Sequence, residues 1–339
     1  MADRRLAGLF AMRPEVRSAA FPPPVMARLR ETADIDPVQV VMDFADLSLR
    51  DALAEAEVLV SGWGCPPIDA KVLDAAPRLR AVIHAAGTVK GHLSEVVWQR
   101  GIAVSSAAAV NAGPVAQYTL AMILLAGKHA FQQAHHYVHT GERDPALTVG
   151  SGNHGRTVGV IGASRIGRLV LPMLAEQGFH TLVSDPTLDA DQAARLAPGG
   201  GTELVDLDTL LRRSDVVSVH APMLPSTHHL LDARRLGLLR DGATLVNTAR
   251  GALVDTAALT EHCASGRIHA VLDVTDPEPL PPHHTLLHLP NVLITPHIAG
   301  ALGNEIARLG GFAVDEVERL AAGLPLQGLV RPEELEHIA

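Results

Sequence analysis

The chain has 339 residues, 47% of them hydrophobic and 19% charged, with a formal net charge of −9. That length exceeds one ordinary core and predicts two domains, while the acidic balance argues against nucleic acid, which needs a basic face. Two cysteines, Cys65 and Cys263, fit no metal spacing and no disulfide framework, so a reducing, cytoplasmic compartment is expected.

Asp3, Arg4 and Arg5 precede only a short apolar patch ending at Arg13, which is not a secretory signal. FPPP at 21–24 is a loop. VLVSG (58–62), RAVIHAAG (80–87) and IAVSSA (102–107) predict strands, separated by helical stretches in the rhythm of a parallel α/β layer. From Pro114, suited to a first helical turn, an Ala/Leu-rich segment predicts one long helix to about His139. Its most apolar window, 115–127, contains Gln117 and is shorter than the ~20 residues a membrane span needs, so a buried helix and no membrane are expected.

After a loop at 150–155 a second βα series begins. TVGVIG (157–162), TLVSD (181–185), VVSVH (216–220), ATLVNT (243–248), HAVLDV (269–274) and NVLIT (291–295) are its predicted strands, with an extended loop, DPEPLPPHH, before the last. Beyond Gly300 the apolar spacing returns to helix and predicts a path back to the first domain. The expected organisation is a discontinuous domain of 1–107 plus 303–339 around a nucleotide-binding domain of 108–302.

VGVIGASRIG reads as strand, tight turn and helix, with Gly162, Ser164 and Gly167 in a G-x-S-x-x-G pattern and Arg165 and Ile166 between the last two. The first glycine permits the turn and the last permits close packing of helix on strand. Ser164 replaces the usual middle glycine, and its hydroxyl could donate to phosphate. Asp185 ends the next strand 18 residues after Gly167, where an acidic side chain binds both ribose hydroxyls. That carboxylate would repel a 2′-phosphate, so NAD is favoured over NADP.

Arg250 in LVNTARG, Glu278 in LDVTDPEP and His297 in LITPHIAG each stand at or just past the carboxyl end of a predicted parallel strand, where ligands bind in open α/β sheets. A guanidinium fork, a carboxylate and an imidazole suit reduction of an anionic carbonyl compound: Arg250 holds the charge, His297 gives the proton, and Glu278 orients and charges the imidazole.

With these blocks, SDVVSVHAPMLPSTHHLLD and LRDGATLVNTARGALVD in the same order, the chain resembles the D-isomer-specific 2-hydroxyacid dehydrogenases over nearly its whole length. The resemblance implies an α/β fold of two Rossmann-like domains, doubly wound parallel sheets with the active site in the interdomain cleft, the first domain flavodoxin-like and substrate-binding. It implies NAD(H)-dependent interconversion of a 2-ketoacid and a D-2-hydroxyacid. His297 is then the acid/base and Arg250 the ligand of the substrate's carboxylate and carbonyl. His220, Ala221 and Pro222 pass near the adenine ribose, Thr248 and Ala249 border the nicotinamide, and Asp273 lies beside the same cluster. Homodimers built through the nucleotide-binding domain and long helix are expected. In HAAGTVKG, Ala86, Gly87 and Thr88 are the candidate amide donors to substrate. Lys90 stands where acidic or amide residues are common in the family, and either adds a cation at the mouth or faces solvent.

Trp63 either lines the substrate pocket or serves packing. His135, His136 and His139 have helical spacing but no acidic partner, so no metal is expected. His283, His284 and His288 read as surface residues. The alternatives within the resemblance are a phosphoglycerate- or phosphite-type dehydrogenase, and an NADH-sensing, corepressor-like binding protein. Formate oxidation is disfavoured because that group carries Gln where Glu278 stands.

Overall fold

The computed structural model describes residues 5–197 and 201–335, so Asp3 and Arg4 lie outside the described residues. The chain forms two units. One runs to Ala112 and resumes at Ala301, and the other spans Gly113–Gly300. The first crossing falls inside a helix, Ala108–Gly127.

In the first unit, β1 (Leu6–Ala11) pairs in parallel with β2 (Ala33–Asp34), β3 (Val40–Val41) and β4 (Val58–Ser61). β5 (Ala81–His84) and β6 (Ala103–Ser106) complete the order β2-β1-β4-β5-β6. The sequence reading gives no strand for LAGLFA. A central parallel strand is buried on both faces and shows no alternation, so periodicity cannot separate it from a short helix. Helix Ile306–Ala321 returns to this unit and buries Leu309, Ala313, Val314 and Val317. Gly310 allows it to close on helix Pro14–Ala20, since a Cβ there would stand 1.7 Å from the Ala20 carbonyl oxygen. The fully buried Glu316 carboxylate fixes the segment that follows, accepting from the amides of Gln327 at 2.9 Å and Gly328 at 3.0 Å and from the Ser105 hydroxyl.

The second unit holds β7 (Thr157–Ile161), β8 (His180–Ser184), β9 (Glu203–Leu204), β10 (Val216–Val219), β11 (Thr244–Asn247), β12 (His269–Leu272) and β13 (Val292–Ile294). All pair in parallel in the order β13-β12-β11-β10-β7-β8-β9. The chain therefore has two Rossmann-like parallel sheets with alternating helices. The order reverses between β7 and β10, and the carboxyl ends of those strands are where a ligand is expected.

The single helix expected from Pro114 to His139 is two, Ala108–Gly127 and Ala130–Thr140. His129 takes a left-handed backbone, φ 50°, and this breaks the helix. The first helix starts upstream of Pro114 because Ala108 and Ala109 are strong helix formers. At 20 residues it is long and apolar enough to cross a membrane by length and composition.

Four imidazoles are held neutral. His220 is pushed down to about 3 by burial, His84 to about 3 by burial and the neighbouring His92, and His92 and His269 to about 4, mainly by burial. Below the ordinary histidine pKa of about 6.5, the unfolded chain takes up these protons and the native state does not, so stability is full above that pH and falls with acidification. Each site contributes a slope of about 1.4 kcal/mol per pH unit. Urea unfolding midpoints are expected to drop between about pH 6.5 and pH 5, before most carboxylates titrate. A flat profile there would contradict the assignment.

Candidate active site

The turn after β7 is shaped by contacts that exclude side chains. Gly162 has φ +92°, and a Cβ on it would lie 2.6 Å from the Ala221 amide nitrogen. A Cβ on Gly167 would lie 2.1 Å from the Gly162 carbonyl oxygen. Ser164 is the N-cap of helix Arg165–Glu176, yet its hydroxyl makes no capping bond. The first amides of that helix, Arg165 and Ile166 among them, are thus open to an anion at a favourable dipole end.

Asp185, just past β8, accepts the Ala163 amide at 2.6 Å on one carboxylate oxygen and the Thr187 amide and hydroxyl at 2.8 and 2.6 Å on the other. His220 and Ala221 follow β10 and are buried, with Pro222 half-buried. His220 Nε2 bonds the Ser218 hydroxyl at 2.8 Å, while Nδ1 has no partner among the described residues. A cradle that a Cβ would fill, free helix-terminal amides and a carboxylate at the next strand end fit a dinucleotide. A nicotinamide dinucleotide bound there supplies a hydride donor and acceptor.

Arg250, Glu278 and His297 all belong to the second unit. His297 Nδ1 and Glu278 Oε1 are 2.7 Å apart. A carboxylate only accepts, so Nδ1 carries the hydrogen and Nε2 is the atom left to exchange a proton. Burial lowers the Arg250 pKa from its usual value, with the Glu278 charge acting the other way. The guanidinium donates to the Ala249 carbonyl at 2.6 Å, and Asn247 braces both neighbours through Arg250 O (2.9 Å) and Ala249 N (3.0 Å). Thr248 and Ala249 are buried, and the Thr248 and Thr119 hydroxyls meet at 2.8 Å.

His297 has φ 55°, rare for a residue other than glycine. The His297 and Glu278 side chains are 52% and 42% exposed, and so solvated a pair contributes ~0–1 kcal/mol. The ion pair alone does not repay the backbone strain, and such strain is characteristic of functional positions. The turn is instead held by Asp273, 1% exposed. Its carboxylate accepts the Ile298 and Ala299 amides at 2.8 Å each and the Thr295 hydroxyl at 2.7 Å, and its carbonyl accepts the His297 amide at 2.9 Å. Tyr118 extends the network, its hydroxyl 2.7 Å from that of Thr295. The resemblance places Asp273 beside this cluster and among the cofactor residues; its brace on the His297 turn is not readable from the sequence. Sequence reasoning missed Thr295 and Tyr118 altogether, although a tyrosine within an apolar helix was the available signal.

The HAAGTVKG loop follows β5 in the first unit. Ala86 is fully buried, and Gly87 and Thr88 are half-buried. The Ser106 hydroxyl donates to the Gly87 carbonyl. The Lys90 amide bonds the Thr88 hydroxyl at 3.2 Å. Beneath the loop, His84 Nδ1 lies 3.0 Å from the Ser61 hydroxyl. Trp63 packs on the buried clusters around Phe10 and Leu309. His135 and His139 stack on each other, and His283 and His288 are exposed.

The glycine turn at the reversal of strand order puts the chain in the class of Rossmann-type dinucleotide-binding proteins. Residues 120–299 match the model of the D-isomer specific 2-hydroxyacid dehydrogenase NAD binding domain. The chain is 34% identical over 270 residues to D-3-phosphoglycerate dehydrogenase of Archaeoglobus fulgidus, covering 79% of this chain and 50% of that one. It is 34% identical over 275 residues to glyoxylate reductase of Thermofilum pendens, covering 79% and 80%. The solved D-lactate dehydrogenase of Aquifex aeolicus, complexed with NAD and lactic acid, superposes with a TM-score of 0.72 at 26% identity, covering 93% and 96%. The chain belongs to the D-isomer-specific 2-hydroxyacid dehydrogenase family. It spans about half the length of the phosphoglycerate dehydrogenase relatives.

Proposed function

We propose that this protein is an NAD(H)-dependent oxidoreductase that interconverts a 2-ketoacid and a D-2-hydroxyacid. The observation that carries the reading is the Glu278–His297 pair on a turn braced by Asp273, beside a half-buried Arg250. In reduction, the Arg250 fork binds the substrate carboxylate and the carbonyl oxygen. As hydride reaches the carbonyl carbon, His297 Nε2 passes its proton to the oxygen, and Glu278 stabilises the imidazolium through Nδ1. In oxidation Nε2 takes the proton back. In the first unit, the amides of Ala86, Gly87 and Thr88 are the proposed substrate donors. The second unit holds the cofactor through Gly162, Ser164, Arg165, Ile166, Gly167, Asp185, His220, Ala221, Pro222, Thr248, Ala249 and Asp273.

The test is NADH oxidation followed by absorbance across 2-ketoacids from glyoxylate to phenylpyruvate. Turnover with one size class supports the reading and defines the pocket. Silence across the panel with NADH still bound would refute it in favour of a cofactor-sensing role. The relatives named D-3-phosphoglycerate dehydrogenase motivate a second substrate class, phosphorylated acids, so phosphohydroxypyruvate belongs in the panel.

We further propose NAD over NADP, because the Asp185 carboxylate opposes a 2′-phosphate. Asp185→Ala is expected to weaken NADH by roughly tenfold, the loss of a charge-assisted hydrogen bond, and to narrow the preference over NADPH. Unchanged discrimination would refute the ribose assignment. A homodimer is also proposed, supported by Leu125, Tyr137, Val138 and Val149, exposed at 41%, 60%, 79% and 79%. A cytoplasmic location is proposed from the two free cysteines, Cys65 and Cys263.

A further inference from the structure

His228, His229 and Asp276 come together in the second unit although 47 residues separate the imidazoles from the carboxylate. One ligand atom from each lies within 4.8 Å of the other two. The rings of His228 and His229 stack with centroids 3.9 Å apart and planes inclined by 21°. Among the described residues, none of the imidazole nitrogens or the Asp276 carboxylate oxygens engages a hydrogen-bond partner, and the carboxylate forms no ion pair with either ring. Three good ligands converge without bonding one another, within reach of a single ion.

The backbone holds them in place. His229 takes a left-handed conformation, φ 50°, an arrangement a histidine adopts at a cost of about 1 kcal/mol. Its amide donates to the Ala252 carbonyl at 2.8 Å, and the Leu231 amide donates to Leu253 at 3.0 Å. On the other side, the Thr256 hydroxyl donates to the Asp276 carbonyl at 2.7 Å, and the Thr275 hydroxyl donates to Pro277 at 2.8 Å. A Cβ on Gly251 would stand 2.0 Å from the Thr275 carbonyl oxygen, so the segments pack backbone to backbone. The 228–231 and 275–277 segments are thus both tied to 251–256, and the ligands they carry are preorganised.

We infer that His228, His229 and Asp276 form a binding site for a divalent transition ion of the zinc class, with the fourth position open to water. Two neutral imidazoles and one carboxylate match the preferences of zinc, nickel, cobalt and copper, and not those of magnesium or calcium, which take all-oxygen sets. Zinc–nitrogen bonds of about 2.0–2.1 Å at a tetrahedral angle set ligand atoms roughly 3.3 Å apart. The present spacing, within 4.8 Å, is looser than that, and His228 is the exposed ligand of the three. The bound ion would bridge the 228–229 turn to the loop that continues to Glu278 and so stabilise the native state by mass action.

Cobalt is the probe, because its visible absorbance reports the ligand set. The untagged full-length chain is titrated with Co2+, and the bound ion is then displaced with Zn2+. The expected result is one equivalent of Co2+ bound with a visible d–d band, weakening as the pH falls from about 7.5 to 5.5 because protons compete for the imidazoles. His228→Ala alters an exposed side chain, and His229→Asn keeps a residue that tolerates the left-handed backbone, so both variants should retain the wild-type circular dichroism. Each, like Asp276→Asn, is expected to weaken Co2+ by tenfold or more, the usual scale for a lost ligand, and to abolish the rise in unfolding midpoint that Zn2+ gives the wild type. Co2+ binding by His228→Ala and Asp276→Asn at wild-type strength overturns the site, as does a wild-type chain that binds no ion at roughly millimolar Co2+, the weak limit of divalent-ion sites.

Discussion

Replacing His297 with alanine is expected to lower kcat for ketoacid reduction by ~10²–10⁴-fold, the contribution of a positioned general acid, while NADH affinity stays at the wild-type level. The separation follows from position. The imidazole sits past β13, bonded at Nδ1 to Glu278 at 2.7 Å, whereas the glycine turn and Asp185 follow β7 and β8. Removing a ring that is half exposed and bonded only to Glu278 leaves no buried charge behind, so the urea midpoint should shift little. Single-turnover reduction with saturating NADH is the measurement, because it isolates the chemical step from product release. A variant that reduces the best ketoacid at the wild-type rate would dismiss His297 as the acid.

Arg250→Lys is the second large effect, with kcat/KM for the ketoacid falling by ~10–10²-fold, the scale for losing a charge-assisted hydrogen bond to the substrate carboxylate. Charge is nominally conserved, so the loss tests geometry. Lysine has no planar fork and cannot pair two oxygens at once. Burial also lowers the pKa of the cation at this position. Arginine starts high enough to remain charged, while lysine starts about two units lower and has less margin. Most of the loss should appear in KM, since the fork grips the carboxylate in ground and transition states alike. If KM for the ketoacid were unchanged, Arg250 would be structural, bracing Ala249 and Asn247.

What the sequence made legible follows from how parallel sheets are built. Apolar runs at 58–62, 157–162, 216–220, 243–248, 269–274 and 291–295 announced strands, and the polar residues just behind the last three stood out against them. Arg250, Glu278 and His297 were readable for that reason. Leu6–Ala11 was not, since a strand buried on both faces has no period to read. The division of the long helix at His129 was equally hidden: a histidine forced into a left-handed conformation looks like any other helical histidine in a row of letters. The resemblance placed Asp273 beside the cluster without showing the bonds it makes there. Its bonds to the Ile298 and Ala299 amides join residues 25 and 26 positions apart, and only the pairing of β12 with β13 brings them together. The His228–His229–Asp276 group was invisible because it forms only through the 251–256 segment, to which both of its parts are bonded.

On the proposed ribose assignment, the two carboxylate oxygens of Asp185 make cofactor preference and local order a single trait. The glycines of the preceding turn admit no side chain, so any retuning toward a phosphorylated ribose starts at the acidic position. Yet that carboxylate also caps the Ala163 amide and the Thr187 amide and hydroxyl, and alanine would release all three donors at once. A protein engineer changing the specificity of this chain therefore begins from asparagine, which sheds the charge and keeps one acceptor oxygen. That oxygen serves the Ala163 amide or the Thr187 donors but not both. The phosphate-binding cation is then added at a neighbouring position. A lineage drifting between cofactors would face the same order of steps.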